Sequence, residues 1–462
     1  MTSESSGRVV RGLLSKWWPV AVSLALAATL PRFGILPFAA LAMALAASWL
    51  AYVLRRLSLT VLVVSVLIPQ LLYMLQLLPE GWDTIAGGLR ISDVILVGMW
   101  GAVAARIVTA RDKGGQGRQF VVVSVVLASL LLVAVARNWG QYGLSALGEF
   151  RSRYLVLGLP VYVALLADTS AVRAWFTRLL AWTPVMGAIL VLPLAAAVKG
   201  WGLGEAYRFF PSWISLALLF AGVWMGLMSK GPRPTVPRTV AYGIFAFVAL
   251  VIVKDAHRSV WLVAAVCLVM LIATRVVDIR HLWWWAAGAA VLAAIALVVP
   301  GVMNGALVEY VVARGRAFFN PAEDPTSYWR LSVWKAYMQP FLRQPLFGQG
   351  FGGYWSVYVP ELGARVVTSP HSVYVQTLVK AGLVGLAALL AWFYAAFRAL
   401  ARSELRGQTS RARQTVLVLG LVAVAGSLTF GAVYPLDFWL LAWMGLALAE
   451  LFHGDSGEEE SV

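Results

Sequence analysis

Hydrophobic residues in this chain come in long runs, broken by short polar stretches that hold most of the charge. Apolar runs recur from Trp18 to Leu451, and several reach the roughly 20 residues a helix needs to cross a bilayer core. The pattern predicts spans near 17–31, 35–54, 58–78, 91–107, 119–136, 153–167, 179–198, 212–228, 239–254, 259–274, 282–299, 371–397, 415–431 and 436–452. Pro31-Arg32 allows the first two to be a re-entrant pair, and Trp201–Ser212 allows partial entry, so the count is about 12–14. Inside lipid every backbone polar group needs a partner within the protein, and barrel-type alternation is absent. The expected fold is therefore an all-α, polytopic integral membrane helical bundle. The runs follow too closely for a large soluble unit, so residues 1–462 read as a single membrane domain. One long polar segment, 301–370, interrupts them. Within it Tyr328-Trp329-Arg330-Leu331 through Trp334 reads as an amphipathic helix, and Pro345-Leu346-Phe347-Gly348-Gln349-Gly350-Phe351-Gly352 as a glycine-rich turn.

Composition agrees: 61% of residues are hydrophobic and 13% charged, which excludes an ordinary soluble globular protein. The net charge of +16 would suggest nucleic acid in a soluble chain. Here Lys and Arg are dispersed over short loops, which is orientation signal, and no nucleic-acid partner is expected. Arg8, Arg11 and Lys16 before Trp17-Trp18 read as a cytoplasmic flank of a first retained span, with no cleavable signal peptide. Alternate loops then carry Arg55, Arg56; Arg106, Arg111, Lys113, Arg118; Arg173, Arg178; Lys230, Arg233, Arg238; Arg275, Arg280; and Arg398 to Arg413. Both termini fall in the cytoplasm, and the acidic end at 453–462 reads as a disordered solvated tail. The lone Cys267 reads as a small buried hydrophobe, without a partner for an intrachain disulfide.

This orientation puts 301–370 outside, together with Arg137, Arg151, Arg153, Lys199, Arg208, Lys254, Arg258 and His371. Positive charge on that side opposes the topology rule and calls for an anionic ligand. Four elements carry the signal. Trp201–Phe210 holds Glu205, Tyr207 and Arg208; Lys254-Asp255-Ala256-His257-Arg258-Ser259 joins two spans with almost no loop. The third element is the segment from Tyr328 to Gly352. The fourth, Ser369-Pro370-His371-Ser372-Val373-Tyr374 through Lys380-Ala381-Gly382-Leu383-Val384-Gly385, opens a hydrophobic helix with one of only four histidines. An imidazole at a membrane edge can exchange a proton near neutral pH without burial in hydrocarbon. Arginine suits phosphate because its fork holds two oxygens and keeps its charge. Arg208, Arg258 and Arg330 are expected to converge on a diphosphate, beside which His371 can deprotonate a hydroxyl. The plain alternatives are headgroup snorkelling for Arg137, Arg151 or Lys199 and a structural ion pair for Asp255 with Arg258. For Gly348–Gly353 it is a simple turn, since the nucleotide-loop Lys-Ser/Thr ending is missing.

These residues resemble the O-antigen ligase and polymerase superfamily. The likeness rests on Asp255–Trp261, on Arg330 to Tyr354, and on His371 to Gly385, and covers roughly residues 200–400. It implies a GT-C-like, metal-independent, cofactor-free membrane glycosyltransferase at the periplasmic face of the bacterial inner membrane. The implied donor is a polyprenyl-diphosphate-linked (undecaprenyl diphosphate) glycan. The acceptor is lipid A core in a ligase, or a second carrier-linked glycan in a polymerase. Carried onto this chain, His371 is the catalytic base or acceptor-orienting residue. Arg258 binds diphosphate, Arg208 matches the upstream arginine and Arg330 adds a contact. Asp255, Ser372, Tyr374 and Lys380 are possible supporting residues. The chain departs from the pattern at Ser372, where the family often has Asn. It departs again at Lys380, where an acidic residue is common; Lys380 is then expected to meet phosphate or headgroups instead. Trp329, Trp334, Tyr354, Trp355 and Tyr358 are suited to stack on sugars, although interfacial aromatics also anchor.

A transporter of lipid-linked glycan is the reading from another class. It requires charges along a path within spans and paired helix breaks in two halves. Mid-span positions here are nearly free of charge and no internal repeat is visible, which favours an enzyme. No Asp-x-Asp or His-x-x-x-His pattern accompanies the outer histidines, so no metal site is expected.

Overall fold

A computed structural model describes residues 84–86, 89–109, 116–166, 258–273, 325–352, 356–360, 363–367 and 370–402, with isolated positions elsewhere. In chain order these form β1 (Thr84–Ala86), β2 (Leu89–Arg90), α1 (Ile91–Thr109), α2 (Gln116–Arg137), α3 (Trp139–Tyr142) and α4 (Leu144–Tyr154). A 3-10 turn (Leu155–Gly158) leads into α5 (Leu159–Leu166). Then come α6 (Arg258–Ala273), α7 (Pro325–Arg343), β3 (Ser356–Val359), β4 (Ala364–Val367) and α8 (Val373–Arg402). The expected spans 91–107, 119–136 and 259–274 coincide with α1, α2 and α6. Among the described residues, Gln119–Arg137 and Val373–Arg398 are long and apolar enough to cross a membrane. Apart from 153–167 and 371–397, the remaining expected spans, with Arg208 and Asp255, lie outside the described residues but for isolated positions.

The structure departs from expectation at three places. The span expected at 153–167 is instead the end of α4, the 3-10 turn and α5. Pro160 lacks the N–H that would continue the helix back to Val156. Trp100 donates to Leu155 O at 3.0 Å, and a Cβ at Gly158 would collide with that indole. The second is an addition, the antiparallel pair β3–β4, register Ser356↔Val367 to Val359↔Ala364, in the part of segment 301–370 beyond the expected helix and turn, where no element was expected.

The third concerns the span expected at 371–397. It is two helices joined at Gly382, whose φ of 71° and ψ of −167° exclude a continuous helix. The rings of Tyr374 and Phe393 nonetheless pack at 6.3 Å. Along a straight helix those residues would be about 28 Å apart, so the two arms fold back on one another. The close approach needs Gly385, where a Cβ would run into that of Ala381. The second arm runs along α2: Trp392, fully buried, donates to Ser124 Oγ at 2.9 Å and packs on Phe120 at 5.5 Å. An indole N–H removed from water must find such an acceptor.

The first arm, Val373–Ala381, is enclosed. Val379 joins Val333, Ala336 and Tyr337 of α7 and Val359 of β3 in one buried cluster, with Val375 and Trp329 packed against it. The stripe Trp329, Val333, Ala336, Tyr337 follows helical spacing, which is why α7 presents one apolar face. On another side α4 closes the arm: Tyr154 Oη and Thr377 Oγ1 share a hydrogen bond of 2.8 Å.

Candidate active site around His371

The break at Gly382 is what makes the glycine-rich turn necessary. A helix through this point would pair Leu383 N with Val379 O and Val384 N with Lys380 O. Residues 345–350 insert between these partners and satisfy all four groups. Gln349 N donates to Val379 O (2.9 Å) and Gly350 N to Lys380 O (2.8 Å). Leu383 N in turn donates to Pro345 O (2.8 Å) and Val384 N to Leu346 O (3.1 Å). Such complete pairing is what irregular backbone requires away from water. Gly348 and Gly350 have φ of 63° and 81°, and a Cβ on either would lie 2.5 or 2.6 Å from Lys380 or Asn138 atoms. The turn is thus the counterpart of a bent helix, and the backbone donors of Gly348, Gln349, Gly350 and Phe351 are already engaged.

The same insertion occupies residues for which other roles were expected. Arg137, expected to reach headgroups, donates to Phe347 O at 2.9 Å and Gln344 Oε1 at 3.1 Å. Arg151 pairs with buried Asp93 at 2.6 Å. Lys380, expected at phosphate or headgroups, is buried and pairs with Glu149 Oε2 at 2.9 Å while approaching Gly352 O at 3.4 Å. Glu149 also accepts from Gly352 N at 2.9 Å and from Gln376 Nε2 at 3.4 Å. A lysine removed from water needs an anion beside it, and α4 supplies one. Sequence reading missed Glu149 and Asn138, whose Nδ2 donates to Gln349 O at 2.8 Å. The signal was present in Lys380 itself: an ammonium in an apolar helix requires a carboxylate, and Glu149 was available in a segment taken as loop.

His371 lies at the other end of the first arm. Its φ is 48°, and among the described residues it is the one non-glycine with positive φ. Histidine enters this region more readily than most residues, yet a left-handed position costs about 1–3 kcal/mol and persists where the surroundings hold it. The restraints are visible. Its half-buried ring lies edge-on to Trp329 at 5.3 Å, and Trp334 Nε1 donates to the carbonyl of the preceding Pro370 at 2.6 Å. On the following side Ser372, buried, caps the arm: Oγ accepts from Val375 N at 3.4 Å, and its carbonyl from Gln376 N at 2.9 Å. Serine and asparagine serve about equally as N-caps, so Ser372 in place of Asn keeps the helix start.

Of the expected site residues, the structure brings His371, Ser372 and Trp329 together, and Arg330, half-buried, is the neighbour of Trp329 on α7. Tyr374 turns to Phe393, and Arg258 is the first residue of α6.

Residues 241–390 match the family model described as O-antigen ligase, a stretch that includes Arg258, α7, the inserted turn, His371 and Gly382. The match supports the O-antigen ligase and polymerase superfamily and an enzyme of glycosyltransferase type, and the two apolar helices Gln119–Arg137 and Val373–Arg398 agree with a membrane protein. Among curated proteins none matches the chain. Glu149 and Tyr154, which brace the first arm, and Asn138, which holds the inserted turn at Gln349, lie before the matched stretch.

Proposed function

We propose, taking the O-antigen ligase domain as premise, that this chain transfers a glycan from a polyprenyl diphosphate carrier to an acceptor hydroxyl, lipid A core in the leading reading. The reaction occurs at the periplasmic face of the inner membrane, in a bundle of about 12–14 spans with both termini cytoplasmic. Segment 301–370 lies on the reaction side, and 453–462 is a solvated cytoplasmic tail. His371 takes the proton of the acceptor hydroxyl as its oxygen bonds to the anomeric carbon, and the bond from that carbon to the diphosphate oxygen breaks. Arg258, Arg208 and Arg330 hold the diphosphate and stabilise the charge it gains on leaving. Asp255 orients Arg258.

The observation that carries this reading is the left-handed backbone at His371, within the matched domain, braced by Trp329, Trp334 and the Ser372 cap. Strain held at a titratable residue at a helix entrance is the mark of a side chain aimed for use.

The test is transfer in vitro with purified lipid-diphosphate glycan and either lipid A core or a second carrier-linked glycan. His371→Asn retains a residue tolerant of positive φ and removes the base, so it isolates the chemistry from the backbone. It is expected to lower kcat by about 100-fold or more with donor binding intact, whereas Arg258→Ala weakens donor binding. Full activity in His371→Asn rejects the base assignment. Product formed with the second carrier alone makes the protein a polymerase.

A further inference from the structure

Between Gly352 and Lys380 the chain leaves one point and returns to it, and His371 rides on the excursion. The hairpin β3–β4 and the start of α8 both lie on that path. At its base Glu149 Oε2 takes the N–H of Gly352 (2.9 Å) and the Lys380 ammonium (2.9 Å), and that ammonium approaches Gly352 O (3.4 Å). One ion pair therefore holds both backbone polar groups of Gly352 and, through Gln376 Nε2 to Glu149 Oε1 (3.4 Å), a second turn of the first arm. Gln376 N in turn donates to the carbonyl of Ser372, the residue after His371. Gly352 has a φ of 98°, and a Cβ there would lie 2.5 Å from Tyr142 Cβ, so the exit from the inserted turn is steered as tightly as the helix it meets.

We infer that Glu149, with Lys380, is a positioning residue for His371: the pair closes the base of the 352–380 excursion and so sets where the imidazole stands. Glu149 belongs to α4, outside the matched stretch 241–390. It acts on the arm by fixing the helix face at Gln376 and Lys380, five and nine residues beyond His371. A small displacement of a reacting group by a distant change can cost about 100-fold in rate.

This inference rests on the His371 reading above, and two separate readouts keep them apart. Cys267 is the only cysteine of the chain, so a Cys267→Ala, His371→Cys background carries a single thiol, at position 371. Its alkylation rate by a polar maleimide reports the position of that side chain whatever the chemistry. Glu149→Gln is expected to change the rate by about ten-fold, and Glu149→Lys combined with Lys380→Glu to restore it. With His371 intact, Glu149→Gln is expected to lower kcat about 100-fold at unchanged KM, and the exchanged pair to recover it. An unchanged alkylation rate in Glu149→Gln protein that elutes like the parent overturns the inference, as does an exchanged pair that restores nothing. Should Glu149→Gln fail to accumulate, the exchanged pair alone decides. If alkylation responds as expected while transfer by Glu149→Gln is unimpaired, the positioning stands and the catalytic reading of His371 falls.

Discussion

The two ends of the first arm of α8 both use positive φ, and they use it to opposite ends. At Gly382 the left-handed residue is a glycine, the inserted turn pairs the backbone groups of Val379, Lys380, Leu383 and Val384 around it, and the nearby charge, Lys380, is buried against Glu149. At His371 the left-handed residue has a side chain, half-buried against Trp329. One end is closed and built for shape. The other holds an imidazole at a left-handed position, the side chain to which the proposed mechanism gives the proton transfer. A charged or titratable residue in an apolar helix is therefore not by itself a site: Lys380 and His371 are nine positions apart, and Lys380 is buried in an ion pair with Glu149 that holds the fold.

Breaking the closed end should cost stability, and removing the imidazole at the open end should cost activity alone. Lys380→Met leaves Glu149 without its cation and is expected to destabilise the protein by about 3–5 kcal/mol, read as a lower thermal midpoint in detergent. His371→Asn should leave that midpoint where it was; a matching drop in both variants would erase the distinction. Gly382→Ala forces a Cβ into Leu346 O on a backbone other residues avoid. A loss of about 3 kcal/mol is expected, and wild-type stability there would mean that the arms need not fold back. The smallest effect tests the cap. Ser372→Ala is expected to cost about 1 kcal/mol, whereas Ser372→Asn should match the parent in both midpoint and transfer. If Ser372→Asn instead lowered transfer, Ser372 would do more than start the helix.

Much of this was legible beforehand. The runs behind α1, α2 and α6 are apolar over nearly their whole length, and burial in lipid leaves such runs little choice but helix. His371 and Ser372 read as a helix start because Ser-Pro-His-Ser ends the long polar segment and opens a hydrophobic run with a rare imidazole. The glycine-rich turn was visible as a turn. Its purpose was not, since nothing local in Gly348-Gln349-Gly350 says which backbone groups it will meet. The β3–β4 pair was missed because Ser356–Val359 and Ala364–Val367 are short and sit within a polar segment, where pairing across the turn outweighs any periodicity.

What the sequence determined by itself was the class of molecule, the helices that lie in apolar runs, and the rank of His371 among candidate residues. These depend on hydrophobicity and on residue chemistry, which are properties of positions. What only the tertiary structure decided was that the helix after His371 folds back at Gly382, that residues 345–350 fill the break, and that Glu149 answers Lys380 from more than two hundred positions away. Those depend on which backbone groups are left unpaired once a helix bends, and unpaired groups find partners in space, not along the chain.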